Sequence, residues 1–278
     1  MDDPGSVDSG GGGPDAAIQR RLDLAIDAAR AAGDVTRALF GRAGLGVQSK
    51  GDGSPVTEGD RRAETEIRRL IGSAFPHDAI RGEEHADTAG DSGLSWLIDP
   101  IDGTISFVRG VPLYGTLIAL ERDGSLVAGV ISMPELDEMV FASVGGGAWH
   151  ARGDRSPEPA RVSTIDCLDR ARFTTTSVDY FDSSGCRDLF LRLCDGFGSM
   201  RGWSDCYGYM LLATGRVDAV VETNVHPWDI AAGHVIVREA GGRATDFSGG
   251  SSVRTGTSLA TNGRIHEQAL GVIRAGWR

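Results

Sequence analysis

The segment Trp96-Leu97-Ile98-Asp99-Pro100-Ile101-Asp102-Gly103-Thr104 constrains this chain more than any other. Three apolar, strand-forming residues run into two carboxylates, and a glycine and a hydroxyl close the segment. Pro100 fixes its own φ and pushes Asp99 towards an extended conformation, so a helix cannot run through the pair and both carboxylates can converge. Gly103 lets the backbone turn where a Cβ would obstruct it. The segment reads as a buried strand ending in a ligand loop. Two aspartates this close repel each other unless positive charge sits between them. A hard divalent cation supplies that charge, because Asp oxygens and a backbone carbonyl such as that of Ile101 are ligands Mg²⁺ accepts. A plain β-turn, with Asp and Gly present for turn chemistry alone, uses the same residues. The rest of the chain decides between the two.

A chain of 278 residues, 40% hydrophobic, can bury the core of one large domain or two small ones. Its longest apolar runs, Leu117 to Leu120 and Val127 to Met133, are too short to cross a bilayer, and no basic stretch followed by an apolar one opens the chain. A cytoplasmic protein without membrane contact is expected. Cys167, Cys186, Cys194 and Cys206 show neither paired short spacing nor histidines at zinc-site intervals, so they read as reduced packing thiols. The net charge of −11 argues against binding nucleic acid through its phosphates. An acidic protein that handles an anion needs local positive charge from arginines or from bound metal.

Residues Met1 to Gly13 are too polar to fold alone and read as a disordered tail. Ile18, Leu22, Ala25, Ile26 and Ala29 then recur at helical spacing, which predicts a helix to about Phe40, ending near Gly41. A strand-like piece leads to a flexible polar loop, Lys50 to Thr57, in which Asp52 reads as a turn residue. A second helix follows, with Thr57 and Asp60 at its cap and Ile67, Leu70 and Ile71 as its buried stripe. Ala79 to His85 looks like a short strand ending in Glu83 and Glu84. From Tyr114 to about Trp149 the pattern is an antiparallel meander in which no acid or base is conspicuous, and Asp154 to Pro159 is a surface loop.

Past a soft boundary near residue 155, strands and helices alternate as in a layered α/β unit: Phe173 to Thr176, Asp188 to Cys194, Met200 to Trp203, Asp205 to Ala213 and Val217 to Glu222. The halves 14–155 and 156–278 lack a linker long enough for independent domains. Pro227 begins and Gly241-Gly242 end an almost entirely apolar stretch, which predicts a buried helix. Asp229 falls in its first turn, where the helix dipole favours a carboxylate. A strand at Ser258 to Ala260 and a last helix close the chain.

Glu83-Glu84, Asp99-Pro-Ile-Asp102-Gly-Thr104 and Trp228-Asp229-Ile-Ala-Ala232, in this order, resemble the three-part signature of the Mg²⁺-dependent, lithium-sensitive inositol monophosphatase family over residues from about 15 to 275. The resemblance implies an α+β fold in αβαβα layers, a homodimer, and hydrolysis of a small phosphomonoester by metal-activated water. It implies two or three Mg²⁺ ions, with Li⁺ or Ca²⁺ inhibitory, on Glu83, Asp99, the Ile101 carbonyl, Asp102 and Asp229. Asp60 and Thr104 would orient and deprotonate the attacking water, with support from Glu83. Asp102, Gly103 and Thr104 would face the substrate, and the Gly103 and Thr104 amides its phosphate.

Trp203-Ser-Asp-Cys-Tyr-Gly-Tyr209, together with Phe107 to Leu120, is similar to the histidinol-phosphate phosphatase branch, in which Gly-Asp-Cys-Tyr-Gly-Tyr is frequent. Ser204 replaces that glycine, and Ile105-Ser106 departs from the Lys-Ser or Thr-Asn usual after Asp-Gly-Thr. In that branch Ser204, Asp205 and Glu222 would face the leaving group, and a carboxylate pair suits the ammonium and imidazolium of histidinol, an intermediate of histidine biosynthesis. Asp205 is equally suited to capping a helix, and Glu222 also matches the glutamate that inositol phosphatases use for hydroxyls. Arg109 reads as a surface or interface arginine, His226 and His234 as packing residues. Two other readings stay open: a bisphosphate nucleotide phosphatase, for which basic residues for a second phosphate are not evident, and a regulatory binding protein on the same fold.

Overall fold

The structure, a computed structural model, describes residues 15–42, 46–49, 51, 55–203 and 205–277. The Gly-rich tail, part of the Lys50 loop and Ser204 lie outside the described residues. Helix α1 (Ala16–Arg37) starts where Asp15 Oδ1 accepts the Ala17 N–H at 2.8 Å. It stops three residues short of Phe40, which turns inward onto Phe107 and Tyr114, with ring centroids 5.9 and 5.3 Å away. Strands β1 (Gln48–Ser49) and β2 (Pro55–Val56) pair as a short antiparallel ribbon. Helix α2 (Glu58–Ala74) follows, capped as expected by Thr57 and Asp60.

The first half then supplies β3 (Ala79–Gly82), β4 (Leu94–Asp102), the short helix α3 (Thr104–Val108), β5 (Gly115–Arg122), β6 (Ser125–Met133), β7 (Glu138–Ser143), β8 (Gly147–Arg152) and β9 (Glu158–Pro159). The strands form one sheet in the order β3-β4-β5-β6-β7-β8-β9, antiparallel except for the β3–β4 pair. The expected loop at Asp154 to Pro159 thus contains an edge strand, and a proline is tolerated there because only one side of the strand is paired. The meander also carries a half-buried polar cluster: Glu138 accepts from His150 at 3.1 Å and from Arg216 at 2.9 Å, a tie between the two halves.

The second half supplies β10 (Arg172–Thr174), α4 (Val178–Ser183), α5 (Arg187–Gly196), β11 (Ser199–Arg201), α6 (Asp205–Ala213), β12 (Ala219–Thr223), α7 (Pro227–Glu239), β13 (Arg243–Thr245), β14 (Thr257–Thr261) and α8 (His266–Gly276). The sheet order is β11-β10-β12-β14-β13, with β11, β10 and β12 parallel. Helix α4 and strand β13 have no counterpart in the expected pattern, because six and three residues are too few to show a period.

Three apolar clusters define five layers. Ile18, Leu22 and Ala29 of α1 and Ile67 and Ile71 of α2 pack on one face of the large sheet against Trp96, Ile98 and Val130. On its other face Leu97, Leu117 and Ile131 meet Met210, Leu212, Ile230 and Ile236 of α6 and α7, whose far side reaches Val220 and Ala260 of the second sheet. Phe173, Val221 and Leu259 then bury Leu189 and Leu193 of α5 and Ile273 of α8 outside it. This is the layered αβαβα arrangement that the family resemblance implies. Helix α7 lies between the sheets, which explains why its interior is apolar all round. Among the described residues no helix is long and apolar enough to cross a membrane.

Candidate metal centre and substrate cleft

Strand β4 delivers the first two carboxylates. Its register with β5 holds to Asp99↔Leu117 and then shifts, so that Asp102 pairs with Gly115. On a regular strand residues three apart point to opposite faces; the irregularity re-aims Asp102 so that both carboxylates serve one site. Asp99 Oδ1 accepts the Ile101 N–H at 3.1 Å, which fixes the Asp-Pro-Ile turn. Gly103 follows at φ +84°, a conformation that disfavours a side chain, and caps α3, a helix not expected from the sequence.

Asp229 enters from the first turn of α7, where its Oδ2 accepts the His226 N–H at 2.7 Å. One carboxylate oxygen each from Asp99, Asp102 and Asp229 lies within 4.8 Å of the others. Burial, followed by the charges of Glu83, Asp102 and Asp229, pushes the Asp99 carboxyl well above the usual carboxylate range. Burial, then Asp205 and Asp229, does the same to Asp102, although the Cys206 N–H donates to it. Negative charge concentrated this way is relieved by protons or by a cation.

Glu83 lines the same cleft, and its place depends on a residue the sequence reading overlooked. Glu64 of α2 is fully buried; its carboxylate accepts the Glu84 N–H at 2.7 Å, the His85 N–H at 3.3 Å and Arg68 Nε at 2.6 Å. A Cβ at Gly82 would lie 2.1 Å from Glu64 Oε1, so the turn after β3 closes on Glu64 only with glycine there. A carboxylate on the apolar face of a helix was the available signal. The donor set fits a hard divalent cation: three carboxylates from two separated elements, β4 and α7, the nearby Glu83, no imidazole or thiolate among them, and the Ile101 carbonyl beside them, 3.0 Å from Thr104 Oγ1.

Asp60 is fully buried at the start of α2. Its Oδ2 accepts the Thr57 N–H at 2.7 Å and the Thr57 hydroxyl at 2.6 Å, while Oδ1 faces Thr104 Oγ1 at 3.3 Å. Burial raises the Asp60 carboxyl despite the Thr57 hydrogen bonds.

The cleft beside these groups has a volume of about 790 Å³. Its far wall comes from the second half: Thr176, Asp179, Tyr180, Asp205, Glu222 and His226. Burial and then Asp205 push the Glu222 carboxyl up to about 8, against hydrogen bonds from Thr176 and Thr175. Burial and the charges of Asp205, Asp102, Glu222 and Asp229 push the Tyr180 phenol up to about 12. The structure therefore gathers Asp60, Glu83, Asp99, Ile101, Asp102, Gly103, Thr104, Asp205, Glu222 and Asp229 at one place. Ser204 lies outside the described residues. Thr176, Asp179 and Tyr180 are cleft residues that carried no sequence signal. His226 stacks on Trp228 with ring centroids 5.0 Å apart, whereas His234 is buried against Ser258 at 2.8 Å.

Fold and site together define a layered α+β protein with an acidic cluster able to hold a cation beside a cleft. The sequence model of the Inositol monophosphatase family matches residues 18–277, and the chain belongs to that family. It is 42% identical to a histidinol-phosphatase of Chlorobaculum parvum, over 86% of this chain and 91% of that one. It is 38% identical to a histidinol-phosphatase of Mycobacterium tuberculosis, over 92% of this chain and 98% of that one. Among solved structures, an IMPase of Thermotoga maritima superimposes with a TM-score of 0.81 at 33% identity, covering 92% of this chain and 97% of the other.

Proposed function

We propose that the chain is a Mg²⁺-dependent phosphomonoesterase that hydrolyses L-histidinol phosphate to L-histidinol and phosphate. The observation that carries the reading is the meeting of Asp99, Asp102 and Asp229 within 4.8 Å beside the cleft that the Asp60–Thr104 pair enters. Histidinol is supported as leaving group by the relatives that bear that activity in their names, and by Asp205 and Glu222 on the far wall, which suit a dication.

Glu83, Asp99, the Ile101 carbonyl, Asp102 and Asp229 would hold two or three Mg²⁺ ions. Bound there, the metal would neutralise the phosphate and lower the pKa of water. The Thr104 hydroxyl has lone pairs open to a proton from the attacking water, and its own proton can pass to Asp60 Oδ1. Burial makes Asp60 a better base than an exposed aspartate. Gly103 and Thr104 amides would orient the phosphate, and the leaving alkoxide would take up a proton from solvent water in the open cleft as the P–O bond breaks. No covalent nucleophile is required. A homodimer, a place in histidine biosynthesis and inhibition by Li⁺ or Ca²⁺ belong to the same reading.

Hydrolysis of inositol or sugar phosphates is the second reading, favoured by Glu222, whose carboxylate also suits hydroxyl groups. Phosphate release measured on L-histidinol phosphate, inositol 1-phosphate and fructose 1,6-bisphosphate separates the two. Preference for the first supports histidinol; preference for another ester reassigns the leaving group; release from none favours a binding protein on this fold.

A further inference from the structure

We propose that Thr176 sets the leaving-group selectivity of the cleft by fixing Asp205 and Glu222 relative to one another, an inference that rests on the phosphomonoesterase reading above. A hydroxyl has one proton to give and two lone pairs to offer. Thr176 Oγ1 gives its proton to Glu222 Oε1 at 3.1 Å and accepts the Asp205 N–H at 3.1 Å. The Thr176 N–H reaches the same Glu222 oxygen at 2.9 Å, and the Thr175 hydroxyl reaches the other at 3.3 Å. Both oxygens of Glu222, a residue 2% exposed on β12, are thereby aimed by the two residues that follow β10.

Asp205 needs such a tether. It opens α6 at φ +53°, a conformation that costs a non-glycine residue free energy and persists only where neighbours impose it. Its carboxylate approaches the turn after β4 so closely that a Cβ at Gly103 would lie 3.1 Å from Asp205 Oδ2. One side chain thus joins β12, the start of α6 and the approach to α4. The groups it joins are the two acids of the second half that line the cleft and that, on the proposed function, face the alcohol half of the ester. Thr176 is a positioning residue: it acts on the leaving group through Asp205 and Glu222.

The test compares wild type, T176V, T176A and T176S as Mg²⁺-loaded full-length protein. The readout is the ratio of kcat/KM for L-histidinol phosphate to that for β-glycerophosphate, whose leaving group carries no cationic group for the two acids. T176V and T176A, which lack the hydroxyl, are expected to lower this ratio by about tenfold or more, and T176S to keep it within about threefold of wild type. In an E222Q background T176V is expected to lower the ratio less than it does in wild type, because the part of the effect that runs through the Glu222 carboxylate is already lost. Equal losses on both esters, an unchanged ratio, or a full T176V effect in E222Q would overturn the assignment. T176A imposes less steric demand than T176V and serves if T176V does not fold. If wild type cleaves inositol 1-phosphate and not histidinol phosphate, the histidinol reading fails and the same ratio is taken with the inositol ester. If wild type cleaves no phosphomonoester, the parent reading fails and the Thr176 assignment with it.

Discussion

Thr104 Oγ1 stands 3.3 Å from Asp60 Oδ1 and 3.0 Å from the Ile101 carbonyl, so one hydroxyl links the helix cap of α2 to the strand that carries Asp99 and Asp102. The other Asp60 oxygen is taken by Thr57, which leaves Oδ1 for chemistry. Asp60→Asn keeps the shape and removes the base. It is expected to lower kcat on the preferred ester by about 10²- to 10⁴-fold while Mg²⁺ affinity, measured by calorimetry, changes little. A kcat within a few-fold of wild type would remove Asp60 from proton transfer.

Asp102→Asn removes one of three converging charges. Turnover is expected to be abolished with the fold intact by circular dichroism, because the substituted amide no longer supplies an anionic oxygen to a cation held with Asp99 and Asp229. Retained activity would take Asp102 out of the metal site.

Asp99 and Asp102 are both pushed above the usual carboxylate range by burial and by neighbouring acids, so without metal they hold protons more tightly than an exposed aspartate does, and a cation competes with those protons. Mg²⁺ affinity is therefore expected to rise with pH and binding to release protons. Calorimetric titration in two buffers of different ionisation enthalpy reads that release; identical heats in both would contradict it.

Glu222 makes a separate pH prediction. Its carboxyl is raised from 4.5 to about 8, so between these values the folded state binds more protons than the unfolded one. Its contribution to stability is complete below 4.5 and is lost as pH rises towards about 8, a change of about 2 kcal/mol or more. Metal-free wild type should lose this stability over that window in urea unfolding, and Glu222→Gln should show a flatter profile. Equal slopes for the two proteins would contradict the raised carboxyl.

Glu64 links the fold to the site through main-chain amides. Glu64→Ala leaves the Glu84 and His85 N–H groups and Arg68 without their acceptor. A loss of about 3 kcal/mol of stability and a weakened Mg²⁺ affinity are expected together, since the turn carrying Glu83 loses its support. Unchanged metal affinity would show that Glu83 is placed by other contacts.

Much of this was readable from residues alone. The Asp99–Thr104 segment, the Thr57–Asp60 cap and the Pro227-to-Gly241 helix announced themselves because proline, glycine and capping residues act locally. Most helices and strands followed from apolar periodicity, whereas the αβαβα layering was implied by the resemblance to the inositol monophosphatase family. What escaped was long-range: Glu64 takes its meaning from amides 20 and 21 positions away, and Thr176 from a carboxylate 46 positions on. Helix α4, which brings Asp179 and Tyr180 to the cleft, is too short to show a period. The shift in register at Asp99–Asp102, which lets both carboxylates serve one site, arises from pairing with β5 and is invisible in β4 itself.

The most direct measurement is phosphate release from L-histidinol phosphate by purified protein, first stripped with chelator and then repleted with Mg²⁺. Release that stops on stripping, returns on repletion in wild type and fails to return in Asp102→Asn is the predicted result. Release that continues at the same rate in chelator would contradict a metal centre built on Asp99, Asp102 and Asp229.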